Sequence, residues 1–227
     1  MRLRRPATHA IFDLDGVLLD TERFYTEATQ AIVGRFGKTF DWSIKGNMVG
    51  RPALESARYL VQALALPISA EQYLGERESL LRELFAHAEP CRGARELTAA
   101  LAAAGVTLGV ATSSERLHYD IKTRRHREWF RMFTSVIVGD DARLKRGKPA
   151  PDIFLLAAAD AGVDAAQCVV VEDSPAGVAA AHAAGMQAIA VPDPHMDRAR
   201  FPDPELIVGS LSEVTPADIG AASGCTS

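Results

Sequence analysis

Cysteine is scarce in this chain. Its 227 residues include three, Cys91, Cys168 and Cys225, far apart and outside any CxxC pattern. That argues against a disulfide framework or a cysteine zinc site and fits a reducing compartment. Basic charge is not in excess, and a net charge of −4 leaves no footprint for nucleic acid. No apolar run is long enough to span a bilayer, and the basic start MRLRRPATHA is followed by no apolar signal-peptide core. Internal repeats are lacking. No GxGxxG follows a strand-like run and no GxSxG surrounds Ser113 or Ser114, so dinucleotide binding and serine hydrolysis have no support. The six histidines, His9, His87, His118, His126, His182 and His195, show no i,i+4 or HxH pairing and read as surface or satisfied structural residues. These absences lead to the expectation of a soluble cytoplasmic protein.

What is present is enough apolar residue, 48%, to bury a sizeable core. Short runs rich in Val, Ile and Ala read as buried strands at His9–Leu14, Val106–Thr112, Ser135–Gly139, Cys168–Glu172 and Gln187–Val191. Helical patterns ending in glycine stand between them: Gly93–Gly105, Pro151–Gly162 and Ser174–Gly185. Strands alternating with helices of this length predict βαβ units and a parallel sheet covered on both faces. The segment 21–88 differs. TERFYTEATQAIVGRF, ALESARYLVQALAL and AEQYLGERESLLRELFAHA are long amphipathic patterns, so this block reads as an inserted all-α domain. The Pro/Asp-rich PDPHMDRARFPDP reads as a loop and the terminal GAASGCTS as disordered. The basic cluster Lys122–Arg127, KTRRHR, reads as a solvated helix face, with steering of an anionic substrate as the other reading.

In a parallel α/β sheet, ligands bind beyond the carboxyl ends of the strands. The polar residues there are Asp13-Leu14-Asp15-Gly16 after the first strand, Thr112-Ser113-Ser114 after the second, and Glu172-Asp173-Ser174 after the fourth. Gly147-Lys148-Pro149 precedes a helix. Four carboxylates, several hydroxyls and a lysine suit phosphoryl transfer through a covalent intermediate. A carboxylate nucleophile splits one hard displacement into two easier ones. A second carboxyl group protonates the departing alkoxide and later deprotonates water. The lysine and a hydroxyl hold the phosphate oxygens. An all-oxygen donor set without a His/Cys cluster favours a hard cation such as Mg²⁺. Singly, each motif has a plain alternative: a turn for the D-x-D, a helix cap for Thr112 and Ser113, an exposed lysine for Lys148, a helix N-terminal charge bias for Glu172-Asp173. Their joint placement at strand ends favours the functional reading. An EF-hand is excluded, because its glycine falls at the sixth loop position and Gly16 is the fourth counted from Asp13.

With these residues in place, the chain resembles the haloacid dehalogenase superfamily. DLDGVLLDTE is similar to its first motif, VATSS to its second, GKPAPDIF to its third and VVVEDSPAGVAAAHAAGM to its fourth, spanning about Thr8 to Pro192. The resemblance implies a Rossmann-like hydrolase core, 1–20 and 89–227, with a helical cap domain, 21–88. It also implies a phosphoric monoester hydrolase that uses Mg²⁺. Asp13 would be nucleophile and metal ligand. Asp15 would be the acid/base and lend its carbonyl to the metal. Thr112 and the Ser113 amide would bind phosphate, and Lys148 would pair with phosphate and Asp13. Asp173 would ligate the metal, with Glu172 a further ligand or a supporting partner. The stretch KTRRHREWFRMFTSVIVGDDARLKRGKPAPDIF is similar to pseudouridine-5′-phosphatases and glycerol-phosphate phosphatases. β-Phosphoglucomutases are similar in motifs and cap type, but Tyr25 stands where they carry a cap histidine. The resemblance places substrate choice on Glu22, Tyr25 and Arg51, under a cap that closes over the site. Arg51 also reads as a surface arginine near a helix start. The implied partner is a small phosphorylated metabolite, with no nucleic acid or membrane, and the chain is expected to be a monomer. A sugar-phosphate mutase and an idle binding module on the same fold are the rival readings.

Overall fold

The computed structural model describes residues 3–48 and 53–220. Arg51, Cys225 and the terminal stretch 221–227 lie outside the described residues. Backbone contacts divide the chain into two compact units, Met1–Asp20 with Glu89–Ser227, and Thr21–Ala88.

In the first unit the strands are β1 (His9–Phe12), β2 (Thr107–Ala111), β3 (Phe133–Ile137), β4 (Cys168–Glu172), β5 (Gln187–Ala190) and β6 (Leu206–Ile207). They form one sheet in the order β3-β2-β1-β4-β5-β6, every pairing parallel. This is the Rossmann-like strand order, and the reversal falls at β1, which pairs with β2 on one side and β4 on the other. The central strands carry side chains that both faces can bury. Every residue of β4, CVVVE, is buried, as a strand covered on two sides requires. Ile11, Ile137, Ile153, Phe154, Val170 and Val178 form part of one continuous core.

Helices α1 (Glu22–Gly34), α2 (Trp42–Lys45), α3 (Ala53–Ala63) and α4 (Ala70–Phe85) make the second unit. α1 buries Phe24, Ala28, Ile32 and Val33 at helical spacing. A capping box between Ser69 and Gln72 starts α4. The unit has its own core of Ile32, Val33, Phe40, Leu60, Leu66 and Tyr73, and the Tyr73 hydroxyl is satisfied by Thr29 at 2.8 Å.

The remaining helices return to the sheet: α5 (Ala94–Ala103), α6 (Arg116–Thr123), α7 (Arg127–Phe130), α8 (Asp152–Ala161) and α9 (Pro175–Ala183). Ser174 caps α9 by accepting from the Gly177 amide at 3.0 Å, and Pro175 occupies its first turn. Gly162 ends α8 in the left-handed conformation.

Two expectations shift. The third strand runs Phe133–Ile137, two residues earlier than Ser135–Gly139, because its ladder with β2 starts at Leu108 opposite Phe133 and ends at Ala111 opposite Ile137. Gly139 then turns away, its amide donating to the Ser114 carbonyl at 2.8 Å. β6 has no counterpart among the strand-like runs of the sequence. It is two residues long and follows the Pro/Asp-rich loop, so it has no periodicity of its own, and only its pairing with Ile189 and Ala190 makes it a strand. Among the described residues no helix is long and apolar enough to cross a membrane.

Candidate active site

The chain leaves β1 at Asp13, whose amide still donates to the Val171 carbonyl of β4 at 2.9 Å. It then folds back on itself. The Gly16 amide donates to Leu19 at 2.9 Å, and Leu18 and Leu19 donate to Leu14. Gly16 takes φ of +74°, and a side chain there would collide with the Asp173 carboxylate. Asp173 is thus packed against the D-x-D-G loop. Gly16→Ala is expected to lose about 1–2 kcal/mol from backbone strain alone and to push Asp173 aside, which a thermal melt of the purified variant would register.

Lys148 gathers three strand ends. Its Nζ donates to Asp13 Oδ1 at 2.5 Å beyond β1, to Glu172 Oε1 at 2.6 Å on β4, and to the Ala111 carbonyl at 3.2 Å on β2. Asp13 Oδ2 accepts from the Asp15 amide at 2.9 Å. Burial raises Asp13 to about 7; Lys148 opposes this, while the charges of Glu172 and Asp15 add to it. Burial pulls Lys148 down, but the charges of Asp13 and Glu172 more than offset that and carry it above its ordinary value.

Glu172 Oε2 accepts from the amide and hydroxyl of Ser174, at 2.9 and 2.8 Å. Both Glu172 oxygens are therefore engaged by protein donors, and a side chain at Gly177 would collide with this carboxylate. Thr112 is buried, and its hydroxyl accepts from the Ser114 amide at 3.0 Å, while Ser113 is exposed. Thr112 therefore shapes the turn after β2.

Asp15 has separate partners. Lys122 Nζ donates to its Oδ1 at 2.6 Å, and the Ser114 hydroxyl donates to its Oδ2 at 2.8 Å. This corrects the reading of KTRRHR as one solvated face. Arg124, Arg125 and Arg127 are exposed, but the Lys122 side chain has 0% exposure. The signal was there: Tyr119, Lys122, Thr123 and His126 are buried at helical spacing, so Lys122 lies on the inward stripe. His126 is satisfied structurally, its Nδ1 2.9 Å from Arg95.

Asp13, Asp15, Glu172, Asp173, Lys122 and Lys148 carry two more negative than positive charges when ionised. Among the described residues no three His, Cys, Asp or Glu side chains converge as a preformed metal cage. Neither cysteine among the described residues is primed as a thiolate. Burial, and then the charges of Asp20, Asp173 and Asp15, push the Cys91 thiol up to about 12, and burial pushes Cys168 up to about 11. Glu22 and Tyr25 belong to the helical unit. Glu22 pairs with Lys45 at 3.5 Å, and the Tyr25 ring meets Phe85 edge-on at 5.6 Å.

The model of the haloacid dehalogenase-like hydrolases matches residues 8–185. The chain is 46% identical over 222 residues to (DL)-glycerol-3-phosphatase 2 of Arabidopsis thaliana, covering 96% of this chain and 92% of that one. It is 40% identical to a probable pseudouridine-5′-phosphatase of Drosophila melanogaster, covering 96% of each. Among solved structures, a family IA, variant 3 hydrolase of this kind from Entamoeba histolytica superposes with a TM-score of 0.77 at 25% identity, covering 93% of this chain and 96% of that one.

Proposed function

Because the chain belongs to the haloacid dehalogenase-like hydrolases, whose close relatives here are named phosphatases, we propose that it hydrolyses a small phosphate monoester through an aspartyl-phosphate on Asp13. The observation that carries this reading is the contrast between two carboxylates two residues apart. Asp13 is gripped by Lys148 at the strand ends, and Asp15 is held by different groups, Lys122 and Ser114. One is set to attack and the other to move a proton.

In this reading an Asp13 oxygen attacks phosphorus, and the ester bond breaks as Asp15 gives its proton to the leaving oxygen. Thr112, the Ser113 amide and Lys148 hold the phosphate oxygens. Asp15 then takes a proton from water, which attacks the phosphorus and returns Asp13 to its carboxylate. The residues present fit Mg²⁺. The donors are all hard oxygens, Asp173 abuts the D-x-D-G loop, and the site carries excess negative charge. Asp13, Asp173 and the Asp15 carbonyl would hold the ion, with Glu172 behind them fixing Lys148. Two carboxylates, a carbonyl and waters suffice, since Mg²⁺ commonly keeps several waters. When bound, it neutralises the approach of carboxylate to phosphate.

Glycerol phosphate and pseudouridine 5′-phosphate are the first substrates to test, given the relatives' names. Substrate choice is assigned to the helical unit, with Glu22, Tyr25 and Arg51 as the residues to vary. The free Cys91 and Cys168 support a cytoplasmic setting.

The test is phosphate release by the purified chain with Mg²⁺ from glycerol 3-phosphate, pseudouridine 5′-phosphate, nucleotides and sugar phosphates. The expected result is release from at least one, stopped by a chelator and restored by Mg²⁺. Release from none would overturn the reading. Conversion of a hexose 1-phosphate to its 6-phosphate without free phosphate would replace it with a mutase.

A further inference from the structure

Lysine is almost never fully buried unless paired, because its ammonium is expensive to desolvate. Lys122 is buried to its tip on α6, in a surface helix whose neighbouring cations all reach solvent. Its Nζ lies 2.6 Å from Asp15 Oδ1 and 2.8 Å from Ser114 Oγ. The Ser114 hydroxyl in turn donates to Asp15 Oδ2 at 2.8 Å. The three side chains close a ring in which each oxygen of Asp15 has its own donor. A carboxyl group held at both oxygens cannot rotate freely, and the ring is reached from α6, a different element from the loop that carries Lys148.

We propose that Lys122 is a positioning residue that, with Ser114, fixes the orientation of the Asp15 carboxyl group for proton transfer. Each aspartate of the D-x-D pair then has its own buried lysine: Lys148 for the group that attacks, Lys122 for the group that moves the proton. This rests on the phosphatase reading above. In the first half-reaction the Asp13–phosphorus bond forms and the ester bond breaks. The electron pair of the broken bond goes to the leaving oxygen, which takes the proton from Asp15. The carboxylate left behind faces the Lys122 ammonium. In the second half-reaction the same carboxylate accepts a proton from the attacking water, and the Asp13–phosphorus electron pair returns to Asp13. Lys122 thus acts where a leaving group needs a proton and has no direct part in gripping phosphate.

That distinction is measurable through the leaving group. An alkoxide cannot depart without a proton, whereas 4-nitrophenolate is stable as an anion. The ratio kcat/KM reports phosphorylation of Asp13, and kcat on a reactive ester reports hydrolysis of the phospho-enzyme. Lys122→Met and Ser114→Ala are compared with the native chain on the best alkyl phosphate of the panel and on 4-nitrophenyl phosphate. In Lys122→Met, kcat/KM for the alkyl ester is expected to fall about 100-fold, with a loss for the aryl ester at least about tenfold smaller. kcat is expected to fall on both esters, because phospho-enzyme hydrolysis uses Asp15 whatever group has left. Ser114→Ala, which changes a partly exposed residue, shows the same bias with smaller size and carries the test if Lys122→Met does not fold. Equal losses of kcat/KM on the two esters in the folded variants would overturn the proposal and leave the phosphatase reading standing. A native chain that releases phosphate from neither ester would instead overturn both.

Discussion

Asp13→Asn is expected to reduce phosphate release by at least about 10⁴-fold while leaving the chain folded. The amide keeps the size and planarity of the carboxylate but offers no anionic oxygen to attack phosphorus. Structural damage should be small for a specific reason. Asp13 is buried in surroundings that raise it to about 7, so its charged form is not a favoured tenant there. Its partner Lys148 keeps the second carboxylate, Glu172, at 2.6 Å. The melting temperature is therefore expected to stay within a few degrees of the native value. Phosphate release and a thermal melt on the same preparation check both halves. Full activity in this variant would remove Asp13 as the attacking group, whatever the family resemblance.

Lys148→Met is expected to do the opposite to stability. The ammonium is shared by Asp13 and Glu172, whose side chains are 10% and 1% exposed. Removing it leaves two buried carboxylates facing each other without their common cation, and breaking such an arrangement costs about 3–5 kcal/mol. Activity falls as well, because without Lys148 burial and the neighbouring carboxylates push Asp13 further toward the proton and so disarm the nucleophile. The sign with pH follows. A carboxyl group raised in the folded state contributes stability that is fully present below its unfolded value of 3.8 and lost as pH rises through its folded value. In the native chain that window runs from 3.8 to about 7 for Asp13, and in the variant it extends higher. Urea unfolding of native and variant chains should show a deficit that is small near pH 4 and grows toward neutral and above. A deficit independent of pH would mean that Lys148 matters through packing, for instance against Phe154, whose ring centre lies 5.0 Å from its Nζ.

The parallel α/β layout was legible because the chain states it twice, in strand composition and in helix punctuation. Runs such as CVVVE and TLGVA are too short and too apolar for surface helices. Serine, proline and glycine mark the ends of α8 and α9 where backbone groups need partners or unusual φ. β6 was illegible for the same reason in reverse. Two residues after a loop carry no period, and the sheet edge recruits them. Composition hides the role of Lys122. KTRRHR looks uniformly solvated when counted, yet a helix sends its residues in different directions every 100° or so, and the one cation on the Tyr119–His126 stripe points inward. For Glu172 the sequence offers both a metal ligand and a support. One of its oxygens accepts from Ser174, two residues along the chain, and the other from Lys148, a partner that local spacing does not supply.

Which chemistry-bearing residues stand at strand ends, and in what order, is written locally in the chain. Asp13-x-Asp15-Gly16, Thr112, Lys148 and Glu172-Asp173 are local facts, written next to the apolar runs that bury. Which of them meet is set by the folded sheet. Placing β1 between β2 and β4 brings Lys148 to Asp13 across 135 residues and Lys122 to Asp15 across 107. Local patterns encode how a segment buries itself, but the partner of a buried charge is chosen by which strands lie side by side. That choice is made by the packing of the whole sheet and its helices.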